Sequence, residues 1–212
     1  MIAILDYDAG NLTSVKLAVE HVGAECRVTR DPEEVYRAEK VIFPGVGAAA
    51  SCMEHLRFSG MDKAIAAACA GGKPLLAICV GMQLLFAESE EDGGVGCLGI
   101  LPGRVWRFAF PPEPRVKVPH MGWNAVDFVR PHPVWDGIPA GSEFYFVHSY
   151  YVEAAEDADV LGRSEYAGAV FTSAAARGNF AACQFHPEKS GEAGLRLLKN
   201  FAEWKPEVRD AQ

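Results

Sequence analysis

Apolar residues gather along the first half of the chain in short unbroken runs separated by amphipathic stretches. Residues 1–7 (MIAILDY), 41–44 (VIFP) and 74–78 (PLLAI) are almost continuously apolar, the pattern of strands buried on both faces. Residues 25–29 read as a further strand. Between these runs apolar positions return at helical spacing. Val15, Ala18, Val19 and Val22 form one such face, with Asn11 as a candidate N-cap and Gly23 as the stop. Ala49, Met53 and Leu56 form a second, and Met61, Ile65, Ala68 and Cys69 a third that ends at Gly71-Gly72. Residues 82–87 form another. Asp31-Pro32-Glu33-Glu34 supplies the cap, the N1 proline and the first-turn acids that open a helix. Strands alternating with helices predict βαβ units and a parallel sheet.

The pattern changes in the second half. Residues 100–108, 123–129, 143–152, 160–166, 168–173 and 179–185 are short β-branched or aromatic runs set between Pro/Gly turns. They predict a more antiparallel portion attached to the parallel sheet. A last helix is expected from about Ser190 to Trp204, with Leu195, Leu198 and Phe201 on one face. The expected fold is therefore α/β: one domain over residues 1–205 with a central, mostly parallel sheet, flanking helices and a β-rich second half, followed by a polar tail over 206–212.

Composition narrows the function classes. Half of the 212 residues are hydrophobic and 23% are charged, enough apolar material for a sizeable core and too much for a disordered chain. The 20 basic residues face 28 acidic ones, a net charge of −8, which argues against a nucleic-acid or anionic-membrane partner. Met1–Leu5 is too short an apolar run for a secretory signal, and Pro74–Ala87 is shorter than the roughly 20 residues a membrane span takes. A cytosolic protein is expected. The six cysteines are irregularly spaced with no Cys-x-x-Cys pair, so neither a disulfide framework nor a redox pair is expected. Cys52 and His55 lack a second ligand pair, so no zinc, and no other metal or cofactor, is expected.

Three segments carry candidate chemistry. In Leu76-Ala-Ile-Cys-Val-Gly-Met-Gln83 a cysteine stands where a buried strand meets a helix. That is the setting of a nucleophile elbow, in which a sharp turn raises the side chain above the sheet. The helix N-terminus favours the thiolate, and the Val80 N–H is a candidate oxyanion donor. Gly81 permits the close packing this turn needs. Alone, a cysteine ending a buried strand is more often a core thiol. In Cys183-Gln-Phe-His-Pro-Glu-Lys189, His186 and Glu188 lie two apart in an extended segment, so a carboxylate meets one imidazole nitrogen and leaves the other for a thiol. In Phe43-Pro-Gly-Val-Gly47, a Gly-x-Gly after a strand offers backbone N–H groups near Val46 and Gly47 as a second oxyanion donor. With Ala50 the same stretch half-matches a dinucleotide fingerprint, but it follows the third strand rather than the first.

Taken in order, Pro-Gly-Val-Gly, Ile-Cys-Val-Gly-Met-Gln and Gln-Phe-His-Pro-Glu resemble the class I, triad-type glutamine amidotransferases. Asp6–Leu12, Pro119-His-Met-Gly-Trp-Asn124, Tyr145–Tyr150 and Phe185–Ser190 narrow the likeness to the glutaminase subunits of imidazole glycerol phosphate synthases, over nearly the whole chain. The resemblance implies that Cys79 attacks the amide carbon of L-glutamine, His186 moves protons and Glu188 orients His186. It implies substrate contacts at Gly47, Gln83, Glu91, Ser149 and Tyr150. It also implies a (β/α)8-barrel cyclase as heterodimer partner and ammonia acceptor, with Asn11, Trp123, Asn124 and Lys189 near the interface. For Glu91 the competing reading is a solvated acidic loop, for Trp123 a core aromatic, and for Lys189 a solvated charge. Ala77 stands where the family usually has glycine, which the elbow tolerates if φ there is negative. A glutaminase serving a pyridoxal phosphate or anthranilate synthase, and a non-catalytic interaction module on the same fold, remain the alternatives.

Overall fold

The computed structural model describes residues 1–8 and 12–206. The N-cap expected at Asn11 and, apart from Pro206, the tail expected over 206–212 lie outside the described residues. The first half alternates β1 (Ile2–Leu5), α1 (Leu12–His21), β2 (Cys26–Thr29), α2 (Pro32–Arg37), β3 (Lys40–Gly45), α3 (Ala49–Ser59), α4 (Met61–Ala70), β4 (Leu75–Cys79) and α5 (Val80–Leu85). The second half supplies β5 (Glu88–Ser89), β6 (Val95–Gly96), β7 (Gly103–Arg107), β8 (His120–Ala125), β9 (Asp127–Phe128), β10 (Glu143–His148), β11 (Tyr150–Ala154), β12 (Val160–Tyr166), β13 (Ala169–Arg177), β14 (Phe180–Cys183) and α6 (Gly191–Glu203).

Local chemistry accounts for the boundaries. The Asp31 side chain accepts the Glu33 N–H at 2.9 Å and starts α2 on Pro32. Gly60, at φ +75°, breaks α3 from α4. Lys40 Nζ reaches the carbonyls of Phe201, Ala202 and Trp204 at 3.1, 2.6 and 2.5 Å. A cation there satisfies the unpaired acceptors at the end of α6.

The main sheet runs β2-β1-β3-β4-β14-β13-β11-β7-β5-β6, with β12 on β13 and β9 on β12. From β2 to β14 all neighbours are parallel; from β14 to β7 they are antiparallel. The chain steps from β1 outward to β2, then back across to β3 and β4. Right-handed crossovers therefore put α1 on one face, where it packs with α6, and the mutually packed α2, α3 and α4 on the other. Ile4, Leu5, Ile42, Phe43, Leu76 and Ile78 are all but inaccessible between these layers.

The second half differs from expectation in several ways: β5 and β6 are additional short strands, and the run 123–129 divides between β8 in a separate ribbon and β9 in the main sheet. The run 143–152 is two strands in two different sheets: β10 pairs with β8 in a separate ribbon, while β11 pairs with β7. The stretch around 180 is not part of the antiparallel portion alone, because β14 pairs parallel with β4 on its other edge. That placement matters for the site. In the parallel register Ile78 faces Cys183, and Gly45 faces Cys79, so the carboxyl ends of β3, β4 and β14 come together at one sheet edge.

Candidate active site

Cys79 occupies the last position of β4 and the N-cap of α5 with φ +56° and ψ −114°. Such a backbone is costly for any residue with a Cβ and recurs where structure holds a functional side chain in place. Two glycines make room for it. A Cβ on Gly81 would strike the Phe43 carbonyl, and one on Gly45 would stand 2.6 Å from the Tyr7 hydroxyl. Tyr7 itself donates to the Pro44 carbonyl at 2.8 Å. Ala77 is fully buried and has negative φ, so the elbow forms without glycine at that position.

The other five cysteines differ in setting. All six are free. Burial pushes the Cys52 and Cys97 thiols up to about 11 and Cys69 to about 12, and raises Cys26 and Cys183 as well. These are packing groups with protonated thiols.

His186 follows β14 and is fixed through its backbone. Its N–H donates to the Tyr145 carbonyl at 2.9 Å. The buried Ser190 hydroxyl donates to its carbonyl at 2.6 Å and accepts the Tyr145 N–H at 3.0 Å. Its Nδ1 lies 2.8 Å from Glu188 Oε1, with the Glu188 side chain only 1% exposed. Nε2 is buried with no partner at full hydrogen-bond geometry among the described residues, and Cys79 is the thiol that acts on this ring. Burial pulls the imidazole toward its neutral form, but the neighbouring Cys79 and the hydrogen-bonded Glu188 outweigh it and raise the pKa from 6.5 to about 10. Cys79, His186 and Glu188 thus stand together as one buried set of thiol, imidazole and carboxyl side chains.

They open on a cavity of about 420 Å³ lined by Val46, Gly47, Cys79, Val80, Gln83, Glu91, Pro119, Val147, His148, Ser149, Tyr150, His186 and Lys189. Every residue expected to touch substrate or to supply an oxyanion donor is on this wall. Glu91 is not in a solvated loop: its Oε2 accepts the Ala49 N–H at 2.7 Å at the start of α3, and burial raises its pKa. The acidic run around it is tied down as well, Glu88 to Arg104 at 2.7 Å and Glu90 to the Arg107 N–H at 2.9 Å.

Gln184, His148 and His120, given no role in the sequence analysis, join Gln83 and Tyr150 in the wall behind the sulfur. Gln83 Nε2 donates to the Tyr150 carbonyl and to Gln184 Oε1, both at 2.9 Å. Gln184 Nε2 in turn lies 3.7 Å from Cys79 Sγ. The same Tyr150 carbonyl takes His148 Nδ1 at 2.8 Å, and His148 Nε2 meets His120 Nδ1 at 2.9 Å. A carbonyl only accepts, so His148 carries its proton on Nδ1 and His120 donates to it. Burial lowers both histidines, to about 3 and about 4, so both are neutral at pH 7. Gln184 stands inside the Gln-Phe-His-Pro-Glu motif, and its i, i+2 relation to His186 is the signal that could have found it.

The expected interface residues separate by strand alternation. Trp123 is 54% exposed on β8, edge-on to Tyr145 at 6.2 Å, and Lys189 lies over the same tyrosine at 5.9 Å beside the cavity. Met121, 62% exposed, shares that face. Asn124 points the other way and donates to the Glu165 carbonyl at 2.8 Å, with His120 Nε2 at 3.4 Å. Asn11 lies outside the described residues.

Residues 3–204 match the family described as Glutamine amidotransferase class-I. The chain is 53% identical over 212 residues to the imidazole glycerol phosphate synthase subunit HisH of Dechloromonas aromatica, with 97% of each chain covered. It is 50% identical over 213 residues to the protein of the same name from Methylococcus capsulatus, again with 97% of each covered. A crystal structure of a glutamine amidotransferase superposes with TM-score 0.73 at 20% identity, covering 96% of this chain and 99% of that one. The structure of PurLQS from Thermotoga maritima gives 0.69 at 18%, covering 95% of this chain and 97% of the matched one. The two solved structures show the same fold.

Proposed function

The chain belongs to the class I glutamine amidotransferases, within them to the HisH subunits of imidazole glycerol phosphate synthase, and on that footing we propose that it hydrolyses L-glutamine through Cys79, His186 and Glu188. The observation that carries this reading is the buried His186, bonded to Glu188 at 2.8 Å and raised to about 10 by its neighbours, in one cavity with a cysteine held at φ +56°.

The Cys79 thiolate adds to the side-chain amide carbon of glutamine, and the carbonyl π electrons move to oxygen. Backbone N–H groups of Val80, at the start of α5, and of Val46 or Gly47 hold that oxyanion. The His186 imidazolium gives its proton to the amide nitrogen, the C–N bond breaks, and ammonia leaves a glutamyl thioester. Neutral His186 then takes a proton from water as its oxygen attacks the thioester. The second oxyanion collapses, the C–S bond breaks, glutamate departs and the thiolate–imidazolium pair is restored. Glu188 fixes the tautomer and balances the imidazolium throughout. Glu91 faces the substrate ammonium, while Gly47, Gln83, Ser149 and Tyr150 hold the rest of the molecule.

Ammonia released into water at neutral pH is protonated and lost as a nucleophile. An acceptor therefore docks over the cavity, and the resemblance to the imidazole glycerol phosphate synthase subunits points to a (β/α)8-barrel cyclase, which uses the ammonia to make imidazole glycerol phosphate and AICAR for histidine biosynthesis in the cytoplasm. Lys189 is exposed and lines the cavity, and it shares Tyr145 with exposed Trp123, next to Met121 on the same face of β8; this supports docking there, since an exposed tryptophan is a favoured anchor. The test is glutamate release from glutamine with and without the cyclase carrying its bound nucleotide. Release is expected to depend on Cys79; full activity of Cys79→Ala in the complex overturns the triad.

A further inference from the structure

Gln184 takes no part in the steps above, yet its side chain is placed against the reacting sulfur. It is fully buried one residue beyond the Cys183–Ile78 register pair, and so stands beside Cys79 at the sheet edge. Its backbone N–H donates to the Ser173 carbonyl at 2.9 Å, its Oε1 accepts from Gln83 Nε2 at 2.9 Å, and its Nε2 is 3.7 Å from Cys79 Sγ.

The direction of this carboxamide follows from its neighbours. The Tyr150 carbonyl accepts only, so the Gln83 atom bonded to it is Nε2. That nitrogen also donates to Gln184, which therefore presents oxygen to Gln83 and its own N–H to the sulfur. His148, neutral and bonded to the same Tyr150 carbonyl, holds that acceptor from the far side. An N–H aimed at a sulfur is worth more when the sulfur is charged.

We propose that Gln184 is a positioning residue for the nucleophile: its side-chain amide donates to Cys79 Sγ, holds the sulfur in place and favours the thiolate, with Gln83 and the Tyr150 carbonyl setting the amide's direction. This rests on the reading of Cys79 as nucleophile, and the test is chosen to separate the two.

Alkylation of Cys79 by iodoacetamide in the full chain, followed across pH by mass spectrometry of the Cys79 peptide, reads the sulfur without glutamine turnover. In Gln184→Met, which keeps the length but lacks the N–H, the pH of half-maximal alkylation rises by about one unit. Glutaminase kcat in the cyclase complex falls by about tenfold while KM for glutamine moves less than about twofold. Gln184→Glu keeps an oxygen for Gln83 but offers the sulfur an acceptor, and moves the alkylation midpoint further in the same direction. In the wild-type chain, which needs no variant to fold, the ¹⁵N-labelled Gln184 side-chain amide resonance shifts as Cys79 titrates. An unmoved alkylation midpoint in either folded variant, or an amide resonance indifferent to Cys79, overturns the proposal. Full glutaminase activity of Cys79→Ala overturns the nucleophile reading instead, while the alkylation and resonance results still report on the contact.

Discussion

Gly45 and Gly81 meet beneath the nucleophile, so closely that a Cβ on Gly45 would stand 2.7 Å from the Gly81 amide nitrogen. The Cβ of an alanine at position 81 would in turn collide with the Phe43 carbonyl, which belongs to the central strand β3 and has no rotamer by which to escape. Gly81→Ala is therefore expected to destabilise the chain by about 1–3 kcal/mol, measured by urea unfolding, and to lower Cys79 alkylation at neutral pH. Wild-type stability in this variant would mean that the elbow packs less tightly than these contacts require.

Positive φ at Cys79 leads to a comparison between two variants that lack the sulfur. Cys79→Ala keeps a Cβ in the left-handed region, whereas Cys79→Gly relieves it. The glycine variant is expected to be the more stable of the two by about 1 kcal/mol, read from denaturant midpoints, although it buries less. The opposite order would show that the side chain's packing outweighs the backbone strain.

The raised pKa of His186 fixes the direction of a pH effect. The imidazolium is the form favoured by folding, so its contribution to stability is fully present below about 6.5 and is lost as pH rises through about 10. The same loss removes the proton that ammonia must take with it, and the glutaminase rate of the complex should fall over the same basic limb. Glu188→Gln removes one of the groups that raise His186, so this limb moves to lower pH. Rate–pH profiles of the two complexes check this, and a limb that stays in place would separate Glu188 from the imidazole's charge.

Glu91 has two employments that substitution can pull apart. Its carboxylate accepts the Ala49 N–H at 2.7 Å, and it lines the cavity where the substrate ammonium is proposed to sit. Glu91→Gln keeps an acceptor but loses the charge, so KM for glutamine should rise about tenfold or more with little change in stability. Glu91→Ala should raise KM similarly and also cost about 0.5–2 kcal/mol through the lost cap. Steady-state kinetics with denaturant titrations of both variants give the answer; equal KM values for wild type and Glu91→Gln would leave only the cap.

What the sequence made readable was what is set locally. The buried runs at 41–44 and 74–78, the Asp31-Pro32 helix start and the His-Pro-Glu spacing each depend on neighbours within a few residues, and each is found in place. The missed features depend on distant partners. Nothing in the composition of residues 143–152 marks the break at Ser149; it arises because His148 pairs with His120 on β8 while Tyr150 pairs with Arg107 on β7. The short strand β5 lies in an acidic stretch that reads as a loop, because Glu88 meets its partner Arg104 only across the sheet, on β7. Gln184 looks like any polar residue near a strand end until β14 lies against β4. Outward Trp123 and inward Asn124 followed from alternation along β8, but only once that strand's faces were known.

The late strand β14, inserted between β4 and β13, also sets a timetable for the newborn chain. Cys79 and its amide neighbour Gln184 are 105 residues apart, which at ribosomal speeds is a delay of roughly 5–20 s. Throughout that interval the edge of β4 that β14 will cover is open, and Cys79 has neither His186 nor Gln184 beside it. Under the proposed triad, Cys79 gains its partners only when β14 zips the two halves of the sheet together.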